Sequence, residues 1–274
     1  MEKSLRVLSG FAGAVLLPAG TAFAGDLPAR TPAYPLPPPA YDWSGFYAGG
    51  NLGGAWSYSS ASTTTVFDPT PSGYFNPASP AAIAAAGAQD MTPTGVTGGA
   101  QAGYNRQFGW LVAGAEVDVG YLGLKGSSSG SAAYSPGAIG NFTVNSAVST
   151  GWLVTARPRI GWALDNWLVY VTGGLAVGDV KGNFNFSDTN GAAESGLLSS
   201  TRTGWTFGGG VEVGLQGPWT VKAEYLRVDL GSASVTSANL SAPVAGGPSF
   251  PGNPFTHGVD AVASLVRLGL NYRF

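Results

Sequence analysis

Charged side chains are scarce in this chain, 10% of 274 residues, so the places where they fall carry information. Three pairs are spaced by two: Glu116 with Asp118, Arg157 with Arg159, and Lys222 with Glu224. Glu212 and Arg267 stand singly, and apolar residues flank most of the set, as Val211 and Val213 flank Glu212. Successive side chains of a β-strand point to opposite faces, so residues two apart share one. Four acids and four bases then balance on a single face. Such a set suits a selectivity lining or proton path, or a polar plug whose members interlock. Charge held away from bulk water is costly unless paired or wetted, which favours the plug.

Other chemistry is sparse. The only histidine, His257, has Ser249 and Asp260 nearby in sequence, but the spacing supplies no nucleophile–base–orienter arrangement, and no catalytic residue is assigned. One His and no Cys argue against a transition-metal site of imidazole or thiolate ligands, and no cofactor is expected. Gly208-Gly209-Gly210 lacks the strand–helix setting of a phosphate loop and fits relief of crowding in a narrow interior. The formal net charge of −2 gives no reason to expect nucleic acid.

The elements that must position the charged face are strands. In the terminal stretch 259–274, Val262, Val266, Leu268, Leu270, Tyr272 and Phe274 alternate with Arg267, Gly269, Asn271 and Arg273. A strand needs about 9–11 residues to cross a bilayer, with aromatics at the interfaces, and this stretch supplies both. Seven earlier stretches alternate likewise: 43–57, 95–108, 110–124, 148–164, 167–180, 201–215 and 219–230. Connectors after the second, fourth and sixth are tight. Those after the first, third, fifth and seventh (58–94, 125–147, 181–200 and 231–258) are long and rich in Ser, Gly, Asn and Pro. The expected fold is therefore an all-β, eight-stranded antiparallel transmembrane β-barrel over 43–274, with short periplasmic turns, long outer loops and both termini periplasmic. Trp43, Trp110, Trp162, Trp167, Trp219, Tyr272 and Phe274 fall beside the short turns and form one expected aromatic girdle. Trp56, Tyr121 and Tyr225 are placed to help form the other. A soluble barrel would face its apolar residues inward; here the charges share the inner face, as expected when lipid is the solvent. Arg227 and Asp229 break the pattern and are expected beyond the outer girdle or after a bulge.

Lys3 and Arg6, an apolar run from Val7 to Leu17, and Ala22-Phe23-Ala24 read as a secretory signal peptide over 1–24. Residues 25–42, with Pro28, Pro32, Pro35, Pro37, Pro38 and Pro39, read as an extended periplasmic leader. It serves as a spacer or as a docking segment for the cell wall, the spacer being preferred.

Tyr41-Asp42-Trp43-Ser44-Gly45-Phe46-Tyr47-Ala48-Gly49 resembles the opening of the small porin-like outer-membrane proteins of alphaproteobacteria, the outer-membrane immunogenic proteins. Tyr170-Val171-Thr172-Gly173-Gly174-Leu175-Ala176 and Trp219-Thr220-Val221-Lys222-Ala223-Glu224-Tyr225 resemble the same family. The resemblance implies an eight-stranded barrel of the opacity type, exposed at the cell surface, with no shared enzymatic activity. Gly269, Tyr272 and Phe274 resemble the C-terminal signal read by the barrel assembly machinery, so that machinery and outer-membrane lipid are the expected partners. Three functions stay open: envelope structure and surface display; a narrow channel for ions or small solutes; and adhesion or haem capture by outer loops. For the third, Phe67, Tyr74, Phe250 and Phe255 would offer aromatic surface.

Overall fold

The computed structural model describes residues 41–134, 140–244 and 247–274; the expected signal peptide (1–24) and nearly all of the expected leader (25–42) lie outside them. In chain order the elements are β1 (Gly45–Trp56), β2 (Ser59–Thr65), α1 (Ser79–Gly87), β3 (Gln89–Met91), β4 (Thr94–Phe108), β5 (Leu111–Leu122), β6 (Lys125–Ala133) and β7 (Asn141–Ser149). They continue as β8 (Trp152–Leu164), β9 (Trp167–Asp188), β10 (Ala193–Gly214), β11 (Trp219–Ser237), β12 (Ser241–Val244), β13 (Gly247–Ser249) and β14 (Phe255–Arg273).

The wall is an antiparallel ring. β1 pairs β4, β4 pairs β5, β5 pairs β8 and β8 pairs β9. β9 pairs β10, β10 pairs β11, β11 pairs β14, and β14 returns to β1, with Ala48 opposite Tyr272 and Leu52 opposite Leu268. Closure matters because a strand edge cannot be solvated in hydrocarbon. Tight turns join β4–β5, β8–β9 and β10–β11. Gly109 (φ 64°) and Gly217 (φ 78°) supply left-handed turn residues, and Asp165 adopts φ 53°, a region open to Asp more readily than to bulkier residues.

The outward face between the turns is apolar. Val117, Val119, Ile160, Val171, Leu175 and Leu268 are all exposed. Trp110, Trp162, Trp167, Trp219, Tyr272 and Phe274 ring the short-turn end, facing outward. Trp43 is the exception: it is only 1% exposed and packs with Val112, Ala163, Leu168 and Tyr170 inside the short-turn mouth. It precedes the first paired residue of β1, so the strand's alternation does not govern its direction. Tyr121, Tyr225, Trp152 and Trp205 are exposed towards the other end, where Trp56 meets Tyr225 with ring centroids 6.3 Å apart.

Much of the connectors expected to be long loops is folded sheet instead, with α1 in the first of them. β9 and β10 run 22 residues each and pair along nearly their whole length. β7 pairs the far half of β9, β6 pairs β7, β2 pairs the far half of β14, and β3 pairs β2. Along β9 the polarity of both faces exchanges. Val169, Val171, Leu175 and Val177 project outward near the turn, Lys181, Asn183, Asn185 and Ser187 beyond it. Inward, Tyr170 and Thr172 give way to Val180, Phe184 and Phe186. The outward face thus suits lipid near the turn and water beyond it, and the inside becomes the apolar core. Arg227 and Asp229 remain on the outward face, and the irregularity in β11 follows them, between Asp229 and Ser232.

The interior is layered. Beyond the Trp43 cluster lies the charged set, then a collar including Leu122, Leu153, Leu226, Val228, Leu230 and Leu265. At the far end Phe75, Phe142, Phe186, Phe250 and Phe255 close over α1, whose Ile83 is fully buried.

Candidate functional site

The eight charged residues come from five strands and meet inside the ring. Glu116 and Asp118 project from β5, Arg157 and Arg159 from β8, Glu212 from β10, Lys222 and Glu224 from β11, and Arg267 from β14. Each is at most 4% exposed. Cross-strand register accounts for part of the set, since Glu116 lies opposite Arg157, Glu212 opposite Lys222, and Glu224 opposite Arg267.

Arg157 occupies the centre. Its Nη2 donates to Glu116 Oε1 (2.7 Å) and Asp118 Oδ2 (2.8 Å), and its Nη1 to Glu224 Oε1 (3.2 Å). Lys222 Nζ lies 2.8 Å from both oxygens of Glu116. Arg267 Nη1 reaches Asp118 Oδ1 (3.1 Å) while its Nη2 reaches Glu224 Oε2 (2.5 Å). Arg159 Nη2 donates to Glu212 Oε2 (2.8 Å), and its guanidinium lies 4.0 Å from the centroid of the Tyr170 ring. Every carboxylate therefore has a cationic partner, and opposite charges offset the desolvation of each.

Neutral side chains complete the set. Tyr47 Oη donates to Glu116 Oε2 (2.8 Å), Tyr170 Oη to Glu224 Oε1 (3.0 Å), and Thr155 Oγ1 to Asp118 Oδ2 (2.6 Å). Asn271 Nδ2 donates to Glu212 Oε1 (2.9 Å) and its Oδ1 accepts from Gln101 Nε2 (2.6 Å). A Cβ on Gly103 would lie 2.4 Å from Tyr47 Oη, and one on Gly269 would lie 2.9 Å from Lys222 Cγ. Those glycines leave the room in which the two long side chains lie. The parity of Tyr47, Gln101, Tyr170 and Asn271 places them on this face, but nothing in their type distinguishes a network member from an ordinary wall residue.

A second polar group lies in the far end. His257 is fully buried, with Nδ1 2.9 Å from Thr63 Oγ1 and Nε2 3.2 Å from Glu194 Oε2. Its ring stacks on Phe184, with centroids 4.8 Å apart. Ser249 and Asp260 are not among its polar partners; Asp260 accepts instead from Ser60 Oγ. Thr63 is fully buried and Glu194 is 4% exposed, so the group lies inside the far-end core.

At the rim of that core Asp188 Oδ2 accepts from Tyr74 Oη (2.6 Å) and Tyr134 Oη (2.8 Å). Burial, then the hydrogen bond to Asp188 and its negative charge, push both phenols above their usual range. Phe250 is 4% exposed and Phe255 fully buried, so neither offers the surface aromatic expected of a loop. Both fill the cap because their stretch pairs as sheet. Phe67 is 39% exposed.

Residues 12–274 match the outer membrane protein beta-barrel domain. The 31 kDa outer-membrane immunogenic protein of Brucella melitensis is 32% identical over 263 residues, covering 93% of this chain and 95% of that protein. The 25 kDa outer-membrane immunogenic protein of Brucella abortus is 30% identical over 243 residues, covering 87% and 90%. The 22 kDa outer membrane protein of Rhizobium leguminosarum is 31% identical over 236 residues, covering 86% and 80%.

Proposed function

Since the chain belongs to the outer-membrane β-barrel family that includes the immunogenic proteins of Brucella, we propose that it is a non-enzymatic envelope barrel that supports the outer membrane and displays a folded surface domain. The wall is read as eight strands: β1, β4, β5, β8, β9, β10, β11 and β14. The short turns and both termini are read as periplasmic, and the extended sheet as external. Gly269, Tyr272 and Phe274 are read as the signal for the assembly machinery. The leader is read as a periplasmic spacer.

One observation carries the reading: side chains occupy the interior along its length, with a cavity of only about 30 Å³ beside Leu122, Val228 and Leu230. Trp43 and Tyr170 occupy the short-turn mouth, the eight charges occupy the middle, and the Leu226–Val228–Leu230 collar and aromatic cap occupy the rest. About eight strands leave an interior just wide enough for side chains, whereas water-filled porins use about 16–18. The buried cap favours structure and display over a narrow channel, and the buried Phe250 and Phe255 remove much of the aromatic surface a loop-borne ligand would use. Planar-bilayer recording on purified protein tests this. The expected result is no large, steady conductance; a large, ion-selective current in the wild type would overturn it in favour of the channel.

A further inference from the structure

Above the level at which β9 changes polarity, the outward side chains of four adjacent strands form a grid. Its lowest row is Lys125 on β6, Ser149 on β7, Lys181 on β9 and Ser199 on β10, set in register by the pairings of those strands. Two rows higher stand Ser129, Asn145, Asn185 and Ser195, again in register. Above them Ser131 and Thr143 share a hydrogen bond of 2.9 Å. The outward face of this sheet is thus dominated by hydroxyls and amides, with both its lysines in the bottom row.

Lys125 is exposed and forms no ion pair among the described residues. The Lys181 side chain is 58% exposed and lies 3.3 Å from Asp179 Oδ2. Asp179 Oδ1 is already held by the backbone N–H groups of Gly151 and Trp152. With strands about 4.8 Å apart, the two lysine stems start roughly 10 Å from one another. Directly below lie the exposed aromatics Tyr121 and Trp152 and then the apolar belt.

The sheet on β3, β2, β14 and β11 supplies an internal contrast. Its outward face is also rich in hydroxyls, with Thr64, Thr256 and Thr236 in one row. Its lowest positions carry Asp260 and Asp90 in place of lysine, and Ser60 donates to Asp260. Two hydroxyl-rich faces therefore differ in the charged residues at their lowest row, lysine on one and aspartate on the other.

We propose that the outward face of β6, β7, β9 and β10 is a docking surface for lipopolysaccharide, an acylated and anionic saccharide. Its acyl chains lie on the apolar belt, its anionic groups meet Lys125 and Lys181, and its sugars lie against the serine and asparagine rows. Juxtamembrane lysines attract anionic headgroups through the same electrostatics. The proposal rests on the reading that this end of the barrel faces outward.

The test uses the full barrel, refolded in detergent free of lipopolysaccharide, titrated with purified phosphorylated lipopolysaccharide and followed by native mass spectrometry. The double variant Lys125→Gln/Lys181→Gln is expected to weaken binding about tenfold, while Asp260→Asn leaves it unchanged. Dephosphorylated lipopolysaccharide and phosphatidylglycerol should each bind more weakly than the intact glycolipid. Equal binding by the double variant overturns the proposal, as does phosphatidylglycerol competing at equal concentration. Heat-dependent gel mobility verifies that each variant is folded. Orientation is read separately from Ser129→Cys, the sole thiol in that variant, with an impermeant maleimide on intact cells. Labelling with unchanged variant binding rejects the docking surface alone; failure to label rejects the orientation.

Discussion

Lys222 places its ammonium at equal distance, 2.8 Å, from the two carboxylate oxygens of Glu116 on the other side of the barrel interior. Both side chains are buried, Lys222 completely. Removing one member leaves the other charged without that partner. Lys222→Met should lower stability by about 3–5 kcal/mol, the usual range for breaking a buried pair. Lys222→Met/Glu116→Gln should recover part of that loss. Urea titration of the folded band on an unheated gel measures both; a double variant no better than the single would show that the contact is not the source of the effect.

Arg267 joins Asp118 and Glu224 from the closing strand. Arg267→Ala removes cationic charge from two carboxylates and opens space beside them. Any small, irregular cation leak in planar bilayers should rise above that of the wild type. An anion-selective leak would contradict the assigned charge balance.

Phe274 ends the chain as an exposed aromatic on the outer surface of the ring, whereas Phe255 is fully buried in the far-end cap. Deleting Phe274 should lower the amount of assembled protein in the outer membrane. Phe255→Ala should assemble but lose about 3–5 kcal/mol of packing in the cap, read as faster proteolysis of that region. Phe67→Ala, at a part-exposed position, serves as the neutral comparison. Normal assembly without Phe274 would remove the terminal signal.

Tyr74 and Tyr134 both donate to Asp188, and burial with that carboxylate raises their pKa values. A proton held more tightly in the folded state contributes stability that is intact below the ordinary phenol value, near pH 10, and is lost as pH rises towards the folded values. Ultraviolet titration of the wild type against Tyr74→Phe/Tyr134→Phe should differ by two late-ionising tyrosines, whose ionisation opens the cap. The double variant should lack that opening step and expose the cap to protease at neutral pH.

The membrane-embedded part of this fold is legible because its period of two keeps one sign. Val117 and Val119 against Glu116 and Asp118, or Val221 and Ala223 against Lys222 and Glu224, place each residue on its face. The extended sheet is harder to read, because the period continues while the apolar face moves inward. Phe184 and Phe186 alternate with Asn183 and Asn185, a soluble-sheet pattern hidden among residues that compose loops. Trp43 misleads for another reason: position beside a short turn does not distinguish a ring outside the wall from one folded into the mouth. Which acid meets which base is only partly readable, since Glu116 and Arg157 are cross-strand neighbours whereas pairs such as Arg159 with Glu212 join strands that are not.

The exchange of polarity along β9 also acts as a depth gauge. From Trp167 to Val177 the outward residues suit hydrocarbon, a length of about 33 Å along the strand and about 25 Å along the normal at a tilt near 40°. Sinking the protein by one pleat repeat would draw Lys181 towards hydrocarbon, and lifting it would bring Leu175 towards water. The wall is rigid and cannot tilt its strands independently, so the bilayer must adjust to the barrel. Where the surrounding membrane is thicker or thinner, the mismatch would fall on the first shell of lipids, and molecules that match this height would gather there.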